Sequence, residues 1–294
     1  MLHINSYIYK IIFLLGIITV TLTACEKDIT VDFPQPESKI VVEGHIEQGY
    51  PPFVILSRNA PYFAAFDAAS LKNYTIKGAT VTVNDGSQTF TLTEIDTMGL
   101  SLYTSFLLRG QIGKTYKLSV TKDGKSVSAV TYIPKPIKLD SVKFEVTGTL
   151  DSLGTLKCHL TDPDTLGNYY RYMTERLHKD SPYFLINIAT TFSSVFDDRL
   201  VNGKSFNFNL ERGRSNTDKS ADGSDAGYFK KGDTIVLRWS TISKPEFQFW
   251  QSAERNVEST GNPFASPVNV KSNIVGGLGT WGGYGASYDT VVAK

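Results

Sequence analysis

Cysteine is almost missing from this chain. The 294 residues hold two, Cys25 and Cys158, which excludes a disulfide scaffold. Histidine is nearly as scarce. Beyond the first 24 residues only His45, His159 and His178 remain, and their spacing matches no zinc-ligand pattern. An excess of one charge is also lacking: 30 Lys and Arg stand against 29 Asp and Glu, a net charge of +1, so electrostatics gives no reason to expect a nucleic-acid partner. Neither a G-x-S-x-G elbow nor an H-E-x-x-H helix occurs, which removes the commonest hydrolase signatures. Long apolar runs are absent as well. The longest, Ile11 to Ala24, would span about 21 Å as a helix, short of the ~30 Å hydrocarbon core of a bilayer. With 41% apolar and 20% charged residues, collagen, low-complexity disorder and a polytopic membrane protein are ruled out. What the chain has in plenty is 24 Gly, 12 Pro, 15 Tyr and 17 Phe, a mixture that favours strands joined by many turns.

The short apolar run after Lys10 reads as a secretory signal peptide over residues 1–24. It ends Leu22-Thr23-Ala24-Cys25, which resembles a bacterial lipobox, and so predicts cleavage before Cys25 and acylation of its sulfur. Loss of residues 1–24 removes Lys10 and no acid, leaving a neutral chain with 29 charges of each sign. The expected tie to the membrane is therefore the lipid alone, each buried acyl CH₂ contributing about 0.8 kcal/mol. Residues 25–38, with Pro34 and Pro36, read as a polar tether. Its opening Glu26-Lys27-Asp28 resembles an export tag for the outer face of the outer membrane. The expected location is thus the cell outer membrane, lipid-anchored and facing outward.

From Lys39 onward the pattern is that of short strands. Lys39–Ile46 and Pro52–Ser57 are joined around Gly49-Tyr50-Pro51, and Ala79–Val83 runs through Asn84-Asp85-Gly86 into Thr89–Thr93. Tyr116–Val120 and Val127–Val130 flank a second hairpin signal, Lys122-Asp123-Gly124-Lys125. Two prolines in Ile133-Pro134-Lys135-Pro136 mark a boundary. Beyond it Val142/Phe144/Val146, Leu156/Cys158/Leu160, Phe206/Phe208/Leu210 and Ile235/Leu237/Trp239 alternate with polar residues, each implying a strand with one buried face. Ser243-Lys244-Pro245-Glu246 has capping-box spacing, and Phe247, Trp250 and Val257 follow at helical spacing before Gly261. The expected fold is mostly β: two antiparallel β-sandwich-like domains, 39–134 (Ig-like or regulatory-domain-like) and 135–294, the second with a single helix over about 244–258.

An ordered set of segments carries a family resemblance. It comprises Cys25–Asp28, Lys39–Gly44, Leu56–Phe63 and Gly78–Val83, then Asp162-Pro163 with Gly167–Arg171, Gly261–Phe264, and Asn273-Ile274 with Gly276–Gly279. Together they resemble a family of Bacteroidota outer-membrane lipoproteins catalogued as domain of unknown function 4249. The resemblance implies two β domains on a lipid anchor, often encoded beside a TonB-dependent transporter, and carries over no catalytic residue.

Several motifs invite chemistry and are outweighed by plainer readings. Gly277-Leu278-Gly279-Thr280-Trp281-Gly282 matches G-x-G-x-x-G, but only Asp289 follows and no helix is expected there, so a glycine-rich strand or turn is the reading. Cys158 and His159, adjacent on a strand, point to opposite faces; Cys158 is expected as a buried thiol. Asp218, Asp222 and Asp225 lie in a polar stretch like the front of a calcium loop, but Phe229 falls where its closing acid belongs. Calcium is thus a weak candidate, and no other cofactor is expected. Asp followed by Ser or Thr and an aliphatic residue at Asp96, Asp140, Asp151, Asp164, Asp233 and Asp289 resembles an O-glycosylation sequon, and is equally a turn feeding a strand.

The preferred contact region is the aromatic stretch Tyr50, Phe53, Tyr62, Phe63, Phe66 and Tyr74, since rings with polar tips in loops suit recognition. The competing reading is that these rings plug the end of a sandwich. The functional expectation is a non-enzymatic binding protein or accessory of a TonB-dependent nutrient transporter. Its alternatives are a glycan-directed hydrolase with carboxylates far apart in sequence, and an adhesion or structural module of the surface.

Overall fold

A computed structural model of the chain describes residue 10 and residues 37–59, 71–97, 100–147, 152–180, 194–212, 227–259 and 268–294. The chain divides into a unit of residues 1–37 and a compact unit of residues 38–294, and all elements below belong to the second. No helix among the described residues is long and apolar enough to cross a membrane.

The strands are β1 (Ile40–Glu47), β2 (Phe53–Arg58), β3 (Thr80–Asn84), β4 (Thr89–Thr91), β5 (Thr93–Thr97), β6 (Leu100–Thr104), β7 (Thr115–Lys122) and β8 (Lys125–Tyr132). There follow β9 (Ser141–Val146), β10 (Leu153–Thr161), β11 (Tyr169–Arg176), β12 (Val195–Asp197), β13 (Ser205–Leu210), β14 (Phe229–Lys230), β15 (Thr234–Ile242) and β16 (Leu278–Val292). A single turn, α1 (Leu71–Tyr74), and a longer helix, α2 (Lys244–Ser259), complete the set. The fold is mostly β and sandwich-like, as expected.

Hairpin turns form where the sequence signals them. Between β7 and β8 both loop residues take positive φ, Asp123 at 49° and Gly124 at 75°, the backbone that a two-residue turn between twisted strands requires. After β3 the Asp85 carboxylate accepts bonds from the Ser87 amide and hydroxyl and from the Gln88 amide.

One sheet links the two halves. Its order is β12-β11-β15-β16-β1-β2-β6-β5, so strands from both sides of residue 134 lie in it side by side. The join is a parallel pairing of β1 with β16, Val41 opposite Leu278 through Glu47 opposite Tyr284; the other paired strands are antiparallel. On one face this sheet is covered twice. Sheet β4-β3-β7-β8 closes a core of Val42, Ile46, Val54, Leu56, Val81, Leu118 and Trp281, while β10 with β9, β13 and β14 closes a second core around Leu156, Cys158, Tyr170, Leu237 and Trp239. Each half therefore has its own core, but the sheet behind them is shared.

The proline stretch read as a boundary runs beneath β16. A Cβ on Gly283 would lie 2.0 Å from the Tyr132 carbonyl oxygen, and one on Gly285 would lie 2.2 Å from that of Pro134. Glycine is needed there for closeness of approach. The G-x-G-x-x-G match is accordingly part of a strand, with no helix after it.

Helix α2 packs on the other face of the sheet, near the position the capping signal gave. Its buried residues are Glu246, Phe247, Trp250 and Glu254. Val257, expected on that face, is 49% exposed; Glu254 is turned inward in its place and accepts bonds from the Ser194 amide and hydroxyl. Glu246 does not close a capping box. Its carboxylate points into the sheet face, with consequences for the site. Gly261 lies outside the described residues.

Candidate functional site

The strand alternation that buries Val42, Gly44 and Ile46 in the first core turns Glu43, His45 and Glu47 to the α2 side. The same face collects Arg171 of β11, Arg238 of β15, and Thr280, Tyr284 and Tyr288 of β16. Register explains the meeting: Arg238 pairs with Tyr288, Glu43 with Thr280 and Glu47 with Tyr284.

Two knots of polar contacts result. In the first, Arg238 Nη2 lies 2.5 Å from Glu47 Oε2, with both side chains about 95% buried, and the Tyr288 hydroxyl donates to Glu47 Oε1 at 2.7 Å. In the second, Glu246 Oε1 accepts from Trp250 Nε1 (2.7 Å) and the Tyr284 hydroxyl (2.5 Å), and its Oε2 accepts from Thr280 (2.5 Å). Arg171 Nη1 donates to the Tyr284 hydroxyl at 2.7 Å, and its guanidinium stacks 3.4 Å from the Trp250 ring centroid. Arg238 lies 4.6 Å from the Tyr284 ring centroid, so Tyr284 bridges the two knots. Burying charge is costly unless it is paired and hydrogen-bonded: Glu47 and Arg238 form an ion pair and Glu246 has three donors, while Arg171, whose Nε has no hydrogen-bond partner among the described residues, is held by the Tyr284 hydroxyl and the Trp250 ring.

Beside them open about 330 Å³ of pocket. It is walled by Tyr50, Pro51, Pro52, Phe53, Ile95, Leu102 and Phe106, and floored by His45, Glu47, Thr104, Arg238 and Tyr288. The rim is held by two main-chain bonds between the β1–β2 and β6–β7 loops, Gly49 N to Gly110 O (2.9 Å) and Gly110 N to Tyr50 O (3.0 Å), and by the Arg109 side chain, whose Nη1 donates to Gly49 O (2.8 Å). Tyr50 is 54% and Phe106 69% exposed, leaving apolar rings in solvent at the mouth of an apolar pocket, a feature that marks binding surfaces.

His45 lines the floor. Its ring stacks on Phe53 (centroids 5.1 Å apart) and meets the edge of Tyr284 at 5.5 Å. Burial first, then the charges of Arg238 and Arg171, hold its pKa well below the usual imidazole range, so it is neutral at physiological pH. Glu43, two residues before His45 on the same face, is exposed. Desolvation raises its pKa, Arg171 acts against the rise and Glu246 adds to it.

Two other clefts are less suited to a ligand. A trough of about 830 Å³ between α2 and β12 includes Asp197, Arg199 and Glu254. Asp197 and Arg199 neutralise each other there, and Glu254 is taken by Ser194. A third of about 480 Å³ opens on Phe206, Phe208 and Tyr172, at the end of the second core.

Of the aromatic residues picked from sequence, Tyr50 and Phe53 meet in the pocket, and Tyr74 sits on α1 without lining it. Tyr62, Phe63 and Phe66 lie outside the described residues, as do the lipidation candidate Cys25 and the calcium candidates Asp218, Asp222 and Asp225. Among the described residues no group of three or more His, Cys, Asp or Glu has a metal-holding arrangement. Cys158 is buried, its thiol pushed up to about 12 by desolvation. His159 points the other way, with Nδ1 at Asn207 and Nε2 at Ser205.

Sequence reasoning missed Glu43, His45, Glu47, Arg171, Arg238, Glu246, Tyr284 and Phe106. Polar residues alternating along β1 look the same whether they face water or a charged partner. The usable signal was elsewhere: Arg171 and Arg238 interrupt the apolar runs Tyr169–Met173 and Ile235–Trp239, and a charge in such a run needs a partner.

A search of curated proteins finds no match for this chain. The model of the family described as Domain of unknown function (DUF4249) matches residues 26–289, a span that includes every element of the fold apart from the last three residues of β16, and the chain belongs to that family.

Proposed function

We propose that the protein is a non-enzymatic binding protein, lipid-anchored through Cys25 to the outward face of the bacterial outer membrane, that serves a TonB-dependent nutrient transporter. The observation that carries the binding reading is the Tyr50–Phe106 pocket: apolar walls, a rim fixed by main-chain bonds, and a floor of already paired charges. Such a pocket takes up a ligand with little reorganisation. The lipobox-like Leu22–Cys25 supports the anchor, and the resemblance to surface lipoproteins supports the address and the transporter.

The hydrolase reading has less support. A two-carboxylate mechanism needs a pair of acids about 5–10 Å apart, each able to act. Glu43 and Glu246 flank Thr280, but both oxygens of Glu246 are engaged by three donors. Glu47 is likewise taken by Arg238 and Tyr288, so among the described residues of this face Glu43 has no second acid free to act.

Mild detergent extraction of the tagged, lipidated protein, with identification of what co-purifies, tests the transporter role. A stoichiometric TonB-dependent barrel supports it. Repeated recovery of the anchored protein alone contradicts it and favours an adhesion module.

A further inference from the structure

The third cleft, poor as a site for a small molecule, runs beside a strand that is open on one side. β13 pairs with β10 alone, Leu156 opposite Leu210 through Thr161 opposite Ser205, and ends its sheet. The next bond along, from Asp162 N to Lys204 O, sets the alternation. Main-chain groups of Phe206 and Phe208 therefore turn to β10, and those of Ser205, Asn207 and Asn209 turn away from it. Among the described residues none of these three has a main-chain partner on that outer side. The Ser205 and Asn207 side chains bond to His159 across β10, which leaves the edge clear. Edge strands are ordinarily guarded by charge, proline or a bulge. β5 carries Glu94 and Asp96, and β9 carries Lys143 and Glu145; the Ser-Phe-Asn-Phe-Asn-Leu of β13 has neither charge nor proline.

Successive side chains of a strand point to opposite faces, yet Phe208, Asn209, Leu210 and Glu211 all line the cleft of about 480 Å³. The cleft therefore follows the open edge of β13 rather than one face of it. Its depth is apolar: Phe206 and Phe208, with ring centroids 5.4 Å apart, then Phe196, Tyr172 and Tyr228. Phe196, Phe206 and Phe208 stay only half-buried, so the second core is not sealed on this side.

We propose that this edge and cleft receive an extended segment of another polypeptide, added to the sheet beyond β13, with apolar side chains at every second position. Free N–H and C=O groups recurring every second residue are what another extended backbone pairs with, and a pocket under the edge reads the alternate side chains. The two-residue repeat of such a guest, about 6.6–6.8 Å, is also that of Phe206, Phe208 and Leu210. A second copy of this chain fits less well. Its own Phe206, Phe208 and Leu210 pack into its own second core, so two β13 edges brought together would leave both clefts empty. This surface is separate from the Tyr50–Phe106 pocket and stands whether or not that pocket binds.

Residues 26–294, which hold the whole compact unit, are tested with the peptide acetyl-KTVTFTVTK-amide. In the free protein the amides of Ser205, Asn207 and Asn209 are expected to exchange with deuterium at least tenfold faster than those of Phe206 and Phe208. Saturating peptide is expected to slow these three at least tenfold. Two altered peptides, one N-methylated at the threonines beside the phenylalanine and one with serine for both valines and the phenylalanine, are each expected to bind at least tenfold more weakly. Asn207→Pro removes an outward N–H and spares the bonds to β10, and is expected to abolish binding with little change in urea stability. Slow exchange at the three outward amides of the free protein, undiminished affinity of the methylated peptide, or no binding of the parent peptide overturns the proposal. So does a dimer of the free protein that Asn207→Pro dissociates, which would assign the edge to a second copy.

Discussion

Gly282 and Glu246 occupy one space between them: a Cβ on Gly282 would lie 2.4 Å from the Glu246 carboxyl carbon. The bare backbone of β16 is what lets the α2 carboxylate reach Thr280, Tyr284 and Trp250. Gly282→Ala is therefore expected to push Glu246 out of its three bonds and lower unfolding free energy by about 3 kcal/mol, at the upper end of overpacking costs. Urea denaturation checks it. Glu246→Gln, which fits the same space, should cost less.

The Glu47–Arg238 pair is almost fully enclosed, so its two halves are not worth the same separately and together. Arg238→Met leaves a buried carboxylate with the Tyr288 hydroxyl as its remaining donor among the described residues and is expected to destabilise by about 3–5 kcal/mol. Adding Glu47→Leu to that variant removes the stranded charge and should recover a large part of the loss. Thermal and urea unfolding of the single and double variants measure this. Equal stability of the two variants would count against a desolvated pair.

His45 gives the pH dependence a definite sign. Its folded pKa lies well below the unfolded value of 6.5, so between those two values the unfolded chain holds the extra proton. Stability from this group is present above pH 6.5 and falls as pH drops below it, by at most about 1.4 kcal/mol per pH unit. His45→Gln is expected to remove that part of the slope. Parallel stability curves for wild type and variant from pH 7.5 to 5.5 would show that the ring is not held neutral.

Cys158 is buried, with its thiol raised to about 12. In the folded protein it should react with Ellman's reagent at pH 8 only on the timescale of unfolding, and promptly in urea. Prompt reaction under native conditions would place the β10 face in solvent.

Local chemistry was readable from the sequence. The Asp123-Gly124 turn, the start of α2 at Lys244, and the buried alternation of Leu156, Cys158 and Leu160 follow from neighbours within a few positions. The parallel pairing of β1 with β16 joins residues more than 230 positions apart, and nothing in the periodicity of either strand records it. That pairing is also what builds the site, because it brings Glu43, His45 and Glu47 beside Thr280 and Tyr284. Tyr50 and Phe53 were visible because exposed rings next to prolines are unusual in a turn. Their polar floor was not, because its members come from four separate strands. Glu246 was misread for a related reason: the capping spacing is local, while the donors that claim its carboxylate on β16 are not.

The pocket is tested most directly by filling it. Ile95 lines it from the edge strand β5 and is 37% exposed, so Ile95→Trp adds bulk to the cavity with little demand on the core. The lipidated protein and this variant, each purified gently from the native membrane, are compared by native mass spectrometry. The pocket reading predicts a small molecule bound one to one in the wild type and missing from Ile95→Trp. The same bound molecule in both, or none in either, would contradict it.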